Sequence, residues 1–187
     1  MRKALDKLND LIRLDLDAIG AYTAAIEACE RAEIKTSLQA FRRDHQRHVR
    51  DLSDAVIKLG GQPARHRDIK GVFILGFTML ASHGDHSALI AMRGNEELTN
   101  RIYESALDDE LDAEARKIVT RNYGDEQRHL AWIKEALANR LWEREQPRAA
   151  MRATGTGDAT TSRASASRSG TRRGKPSTAR RNRRARA

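Results

Sequence analysis

Apolar residues recur at steps of three and four along four long segments, at about 2–32, 33–59, 85–109 and 112–142. In the first segment they are Leu8, Leu11, Ile12, Ile19, Tyr22 and Ile26. This spacing is typical of amphipathic helices that pack along a shared seam. Asp112 stands where the fourth segment begins and is a suitable N-cap. The pattern predicts an all-α protein with four helices.

A long connection separates the second and third segments. Gly60-Gly61 followed by Pro63 predicts the end of the second helix, and residues 62–84 then precede the third. A connection of this length lets the third helix begin at the far end of the bundle, so we expect a long crossover between helices 2 and 3. The middle of the connection, 69–81, is apolar but too short to cross a bilayer. We expect it to cover one end or side of the bundle; a dimer contact or docking onto a membrane surface are the alternatives.

Ionisable residues interrupt the apolar stripe of each helix near its middle. They are Asp15, His45, His48, Glu96, Glu126 and His129. Burying such groups without a compensating partner is costly. Three carboxylates and three imidazoles suit a transition metal such as iron, manganese or zinc, which would provide that compensation. The structural alternative is a salt-bridged or water-filled polar core.

Part of this pattern occurs twice. The stretch Asp44–His48 recurs 81 residues later as Asp125–His129, and the copies differ only at the second position. The same offset relates an acid and a tyrosine seven residues further on: Asp15 with Tyr22, and Glu96 with Tyr103. The register predicts a duplicated helical hairpin, and two such hairpins must pack together to bury their apolar faces.

These residues resemble the metal-site motifs of the ferritin-like superfamily, the di-iron carboxylate four-helix bundles, over about residues 5–143. More narrowly, the chain is similar to bacterial ferritin-like domains of unknown function. In that superfamily, helices 1 and 3 each carry an acid followed by a tyrosine, and helices 2 and 4 carry Glu-x-x-His. Glu126 and His129 match the second motif fully, and His45 and His48 match it in part.

The resemblance implies a ferritin-like bundle at 1–145 that binds iron. It implies the six ionisable residues as metal ligands and two candidate catalytic residues, Tyr22 and Tyr103. A purely structural role is the alternative for both tyrosines. His45 departs from the family, since an imidazole cannot bridge two metals through oxygens as glutamate does. A di-iron centre, an altered two-metal site and a single Fe, Mn or Zn ion therefore all stay open, as does substitution by the neighbouring Asp44.

Charge divides the chain at about residue 146. The segment 146–187 holds 12 of the 35 Lys and Arg residues but only one of the 26 acidic residues, so it carries +11 and the remainder −2. This segment lacks apolar periodicity, and we expect a disordered tail. Its charge favours nucleic acid, bound through phosphates without base stacking, since it contains no aromatic residue. Anionic lipid, an acidic protein or a solubilising role are the alternatives.

Taken together, these features favour a metal-binding protein with a candidate ferroxidase or di-iron oxidoreductase activity, serving oxidative-stress protection and tethered to DNA by its tail. A di-iron hydroxylase resembling those of quinone biosynthesis and a non-catalytic helical interaction module are the alternatives. Cys29 is the single cysteine, which favours a reducing compartment, and residues 1–10 show no secretory signal. We therefore expect a cytoplasmic or nucleoid-associated protein without a transmembrane segment. A homo-oligomer is also expected.

Overall fold

Four long helices make up the computed structural model, which describes residues 2–66 and 84–144. They are α1 (Arg2–Ala28), α2 (Ala32–Lys58), α3 (Asp85–Leu107) and α4 (Ala113–Ala138), followed by a 3-10 turn at Leu141–Glu143. Within those two ranges there is no β-strand, and the predicted all-α class is confirmed. None of the helices found there is long and apolar enough to cross a membrane. The predicted tail at 146–187 and the apolar segment at 69–81 lie outside the described residues.

Local sequence accounts for where two of the helices begin and end. Before α4, the side chain of Asp112 accepts hydrogen bonds of 2.9 Å from the backbone amides two and three residues later, as expected of an N-cap. α2 ends at Lys58, and Gly60 then adopts a φ of 77°, a left-handed conformation that favours glycine. A Cβ at Gly61 would lie 2.6 Å from Leu5 Cδ2 and 3.3 Å from the carbonyl oxygen of Val56, so a larger residue there would require the Leu5 side chain to move.

The helices form two antiparallel hairpins, α1 with α2 and α3 with α4. At the start of α3, Asp85 Oδ1 accepts hydrogen bonds from the backbone amides of Glu30 and Arg31 in the α1–α2 turn, at 2.9 and 3.2 Å. Near the start of α1, Asn9 Nδ2 donates to the carbonyl of Gln62, just beyond α2, at 3.2 Å. The end of α2 and the start of α3 therefore lie at opposite ends of the bundle. A helix of 27 residues is about 40 Å long, so the end of α2 and the start of α3 are separated by roughly that length, as the predicted long crossover between helices 2 and 3 requires.

Two apolar clusters fill the bundle, one towards each end. The first joins buried residues of all four helices and the final turn: Tyr22, Ala25, Cys29, Ile34, Leu38, Ala88, Leu89, Ala91, Met92, Ile133, Ala136 and Leu141. The second comprises Leu8, Leu11, Ile12, Leu52, Ala55, Val56, Tyr103, Ala106, Ala115 and Val119. Burial of each large aliphatic side chain contributes about 1.5–3 kcal/mol. The clusters enclose a polar centre between them.

The apolar stripe of α1 differs in detail from the prediction. Ile19 and Ile26 were expected to face the core but are only half-buried, whereas Ala18 and Ala25 are 2% and 0% exposed. α1 packs against both α2 and α3, and small side chains let neighbouring helices approach closely. Both sets of residues continue the spacing of three and four from Asp15 and Tyr22, so periodicity alone does not decide between them.

Candidate metal centre

All six predicted ligands meet at the middle of the bundle, and every one of them is 0% exposed. They form two overlapping groups, in each of which one ligand atom per residue lies within 4.8 Å of the others. The first group is Asp15, His45, His48 and Glu126. The second group is His45, Glu96, Glu126 and His129. Each helix contributes to this centre, and His45 and Glu126 belong to both groups.

The first group gathers around one carboxylate oxygen of α1. Asp15 Oδ1 lies 2.7 Å from His45 Nδ1 and 3.4 Å from His48 Nδ1. Glu126 Oε1 approaches the same two nitrogens, at 3.5 Å from His45 and 3.2 Å from His48. Two imidazole nitrogens and two carboxylate oxygens thus converge, a donor set suited to iron, manganese or zinc.

The second group has longer separations. His129 Nδ1 lies 3.7 Å from Glu96 Oε2 and 3.8 Å from Glu126 Oε2. His45 Nε2 lies 3.6 Å from Glu96 Oε1. These distances exceed ordinary hydrogen bonds, which fall between about 2.7 and 3.2 Å. The four groups surround a common point without bonding directly to one another.

Hydrogen bonding at the centre is incomplete. Five buried atoms find no hydrogen-bond partner among the residues that the structure describes: His45 Nε2, Glu96 Oε2, Glu126 Oε1, Glu126 Oε2 and His129 Nδ1. The second group contributes an atom from each of its four residues to this set. An unsatisfied buried polar atom costs about 1–3 kcal/mol. A cation bound between these atoms would satisfy them together, so the residues present fit a metal site.

Two aspartates outside the predicted ligand set orient the histidines. His48 Nε2 donates to Asp125 Oδ2 at 3.0 Å, and His129 Nε2 donates to Asp44 Oδ2 at 3.1 Å. Each bond joins the histidine of one repeat to the aspartate of the other, and it leaves Nδ1 to face the centre. A carboxylate on the outer nitrogen of a histidine fixes its tautomer and ring orientation.

Both aspartates are also held by arginines of the repeat. Arg47 forms ion pairs with Asp44 and Asp125, and Arg128 contacts Asp125 as well. Sequence reasoning missed this role and considered Asp44 only as a replacement ligand. In the structure Asp44 belongs to neither candidate group. The sequence did contain a signal for this role, because the aspartate and the arginine are repeated together with the histidine in both copies of the stretch.

The two candidate tyrosines each bond a carboxylate of the opposite repeat. Tyr22 Oη donates to Glu96 Oε1, and Tyr103 Oη donates to Asp15 Oδ2, both at 2.6 Å. Burial raises the pKa of each phenol well above its ordinary value, and the neighbouring carboxylates raise it further. Each phenol therefore stays a hydrogen-bond donor at neutral pH and positions one carboxylate of the centre. Their catalytic role stays a prediction.

Burial and the neighbouring carboxylates shift the pKa of the three histidines in opposite directions. Burial lowers the pKa of His48 and His129, but hydrogen bonds to carboxylates, first those of the outer aspartates, raise each pKa to about 10. Burial also lowers the pKa of His45, yet the charge of Glu126 and the bond to Asp15 leave it well above the ordinary value. In the metal-free protein the surrounding carboxylates therefore favour the protonated, cationic form of each ring.

The pKa values of two carboxylates shift in the opposite direction to those of the histidines. Burial raises the pKa of Asp15 and Glu96, but the adjacent imidazoles outweigh burial and hold both pKa values below their usual range. Charge is thus compensated within the metal-free cluster, as a salt-bridged core requires. The hydrogen-bonding capacity of the cluster is not fully satisfied, because the five atoms named above have no hydrogen-bond partner among the described residues. Metal binding would displace the imidazole protons and supply the missing contacts.

With this geometry in view, comparison with known proteins identifies the family. Residues 3–109 match the family described as "Domain of unknown function (DUF2383)". The chain belongs to this family. The DUF2383 match spans α1 to α3 and includes four of the six candidate ligands, whereas Glu126 and His129 of α4 lie beyond it. No curated protein matches the chain.

Solved structures support the fold. One is a dodecameric thioferritin, the bacterioferritin-related protein of Bacteroides fragilis, with a TM-score of 0.62 and 16% identity over 75% of this chain and 88% of that one. Another is a two-domain protein of Anabaena variabilis with DJ-1/ThiJ/PfpI-like and ferritin-like domains, with a TM-score of 0.62 and 17% identity. That match covers 86% of this chain and 41% of the other. This DUF2383 protein therefore has a ferritin-like four-helix bundle, as predicted.

Proposed function

We propose that the bundle binds two transition-metal ions, iron in the first instance, one in each group of four ligands. The observation that carries the proposal is the set of buried donor atoms without hydrogen-bond partners, which converge between the helices. A site of neutral imidazoles and carboxylates suits iron, whereas magnesium and calcium prefer sites built from oxygen ligands alone. The ferritin-like fold of the structural neighbours supports the same interpretation.

We further propose that the site oxidises Fe(II), with oxygen or peroxide as oxidant, and thereby protects against oxidative stress. Bound iron would supply one-electron redox chemistry. Asp15 and Glu96 already have pKa values below their usual range in the metal-free protein, and bound cations would favour their ionised forms further. The apolar clusters on both sides would limit the access of water to the centre. The tyrosines would hold the two carboxylates in place through their hydroxyl groups.

The test is oxidation of Fe(II) by the purified full-length protein. Metal-free protein is loaded anaerobically with Fe(II), oxygen or peroxide is admitted, and formation of Fe(III) is followed by its near-ultraviolet absorbance. We expect faster oxidation than in protein-free buffer, and the Glu126→Ala variant should lose the acceleration. Asp51→Asn is the control, because Asp51 pairs with Arg121 between α2 and α4 and belongs to neither ligand group. A wild-type rate equal to that in buffer would contradict the proposed oxidation.

For the tail we propose binding to DNA through its phosphates, supported by the +11 charge of residues 146–187. Deletion of 147–187 should abolish binding to a duplex of arbitrary sequence, and added salt should weaken the binding of the full chain steeply. Binding that persists after the deletion would contradict this proposal. The domain boundary at 145/146, the homo-oligomer and the cytoplasmic location stay predictions.

A further inference from the structure

The imidazole of His45 presents its two nitrogens to different ligand groups. Nδ1 lies 2.7 Å from Asp15 Oδ1 and 3.5 Å from Glu126 Oε1, within the first group. On the other edge of the ring, Nε2 lies 3.6 Å from Glu96 Oε1 and has no hydrogen-bond partner in the described part of the chain. One side chain therefore contributes a potential donor atom to each site.

The two carboxylate oxygens of Glu126 likewise face different ligand groups. Oε1 lies 3.2 Å from His48 Nδ1 in the first group, and Oε2 lies 3.8 Å from His129 Nδ1 in the second. The two residues at the mismatched position of the repeat, His45 and Glu126, thus face each other and are the two members common to both groups. The other four ligands each belong to one group only.

Packing holds the His45 ring in this orientation. The ring is 0% exposed, and its centroid lies 5.2 Å from that of Tyr22. The centroids of the His48 and His129 rings each lie 5.5 Å from that of His45. An arrangement in which Nδ1 and Nε2 face opposite groups is therefore built into the core and does not depend on a mobile surface side chain.

We propose that His45 bridges the two metal ions as an imidazolate, with Nδ1 on the first ion and Nε2 on the second, alongside a carboxylate bridge from Glu126. The inference rests on the proposed two-metal site. Neutral imidazole carries one N–H and one lone pair, so it binds a single ion. Loss of that remaining proton to solvent when the second ion binds exposes a lone pair on each nitrogen, and the ring then binds both.

An imidazolate bridge sets the separation of the ions. Metal–nitrogen bonds of about 2 Å on either side of the five-membered ring place the ions roughly 6 Å apart. Two-metal sites with short oxygen bridges hold their ions about 3.5–4 Å apart. The ions in this protein would be too far apart for a single oxygen atom to link them. His45 thereby changes the geometry of a ferritin-like centre while retaining two metals.

Anomalous diffraction from crystals of the full-length protein grown with Zn(II) tests the bridge directly. We expect two anomalous peaks per chain about 6 Å apart, with one His45 nitrogen on each. Two peaks about 3.5–4 Å apart, a single peak, or His45 bound to one ion only would overturn the inference while leaving metal binding intact. Absence of any peak at the six ligands would instead overturn the proposed function.

The His45→Glu variant provides the matched comparison, because it restores the glutamate found at the equivalent place in the second repeat, Glu126. Without the rigid imidazole ring between them, the ions would be linked by carboxylates alone, and their separation should shorten to about 3.5–4 Å. An unchanged separation in this variant would show that His45 does not set the distance and would overturn the inference. If His45→Glu does not fold, the wild-type crystals alone still decide the question.

Discussion

Removing one outer aspartate should weaken one metal site and spare the other. Asp125 accepts the Nε2–H of His48, which belongs to the first ligand group, and Asp44 accepts that of His129, which belongs to the second. Asp125→Asn should therefore weaken the first site, and Asp44→Asn should weaken the second. The substitutions preserve side-chain size but remove the charge that orients the ring.

The magnitude follows from the role of such carboxylates. Loss of a carboxylate that orients a metal-bound histidine reduces metal affinity by about 10–100-fold. This corresponds to about 1.4–2.7 kcal/mol of binding free energy. Because the bonds to the two histidines are of similar length, 3.0 and 3.1 Å, we expect comparable effects in the two variants.

Isothermal titration of Zn(II) into metal-free protein measures both sites in one experiment. Wild-type protein should bind two ions, and each variant should retain one site within about twofold while the other weakens by about 10–100-fold. Asp51→Asn removes an aspartate–arginine pair between α2 and α4 that belongs to neither ligand group and should change neither site. Equal weakening of both sites in either aspartate variant, or of neither site, would refute the assignment of each aspartate to one site.

Three further measurements test the surroundings of the centre. Replacing Tyr22 or Tyr103 with phenylalanine removes the donor to a buried carboxylate and should lower the free energy of unfolding by about 1–3 kcal/mol in urea titrations, whereas no change would contradict the assigned bonds. The pKa of His48 and of His129 rises from 6.5 to about 10 on folding, so their contribution to metal-free stability should be complete below pH 6.5 and lost as the pH rises towards 10. Urea midpoints measured between pH 6 and pH 10 check this, and a midpoint that rises across the range would show the opposite sign. Asp112→Ala removes the N-cap of α4 and should cost about 1 kcal/mol by thermal unfolding, with an unchanged melting temperature counting against the cap.

Periodicity predicted the helices and the position of the centre because both depend on residues of one helix facing one direction. The six candidate ligands lie on the predicted stripes and meet in the structure. Periodicity did not distinguish Ala18 from Ile19 on α1, because both continue the spacing of three and four between Asp15 and Tyr22. A small error in the predicted position of the buried face of a helix is enough to exchange one buried residue for its neighbour in the sequence.

The outer aspartates could not be assigned from helix position alone. Asp44 and Asp125 lie one residue before stripe positions, where a solvated surface role is the ordinary expectation. Their bonds to His129 and His48 cross between the two repeats, and the sequence of one helix does not report what the facing helix presents. The division of the His45 nitrogens between two ligand groups likewise depends on side-chain orientation within the assembled core.

Metal content of the purified protein tests the central proposal most directly. Protein prepared from iron-supplemented medium, or metal-free protein reconstituted with Fe(II) without oxygen, is analysed by inductively coupled plasma mass spectrometry. One ion for each of the two ligand groups predicts two metals per chain in the wild type. Glu126→Ala, which removes a ligand shared by both groups, should lose most of this metal, and Asp51→Asn should retain it. Wild-type protein without metal, or metal retained in full by Glu126→Ala, would contradict the proposed centre.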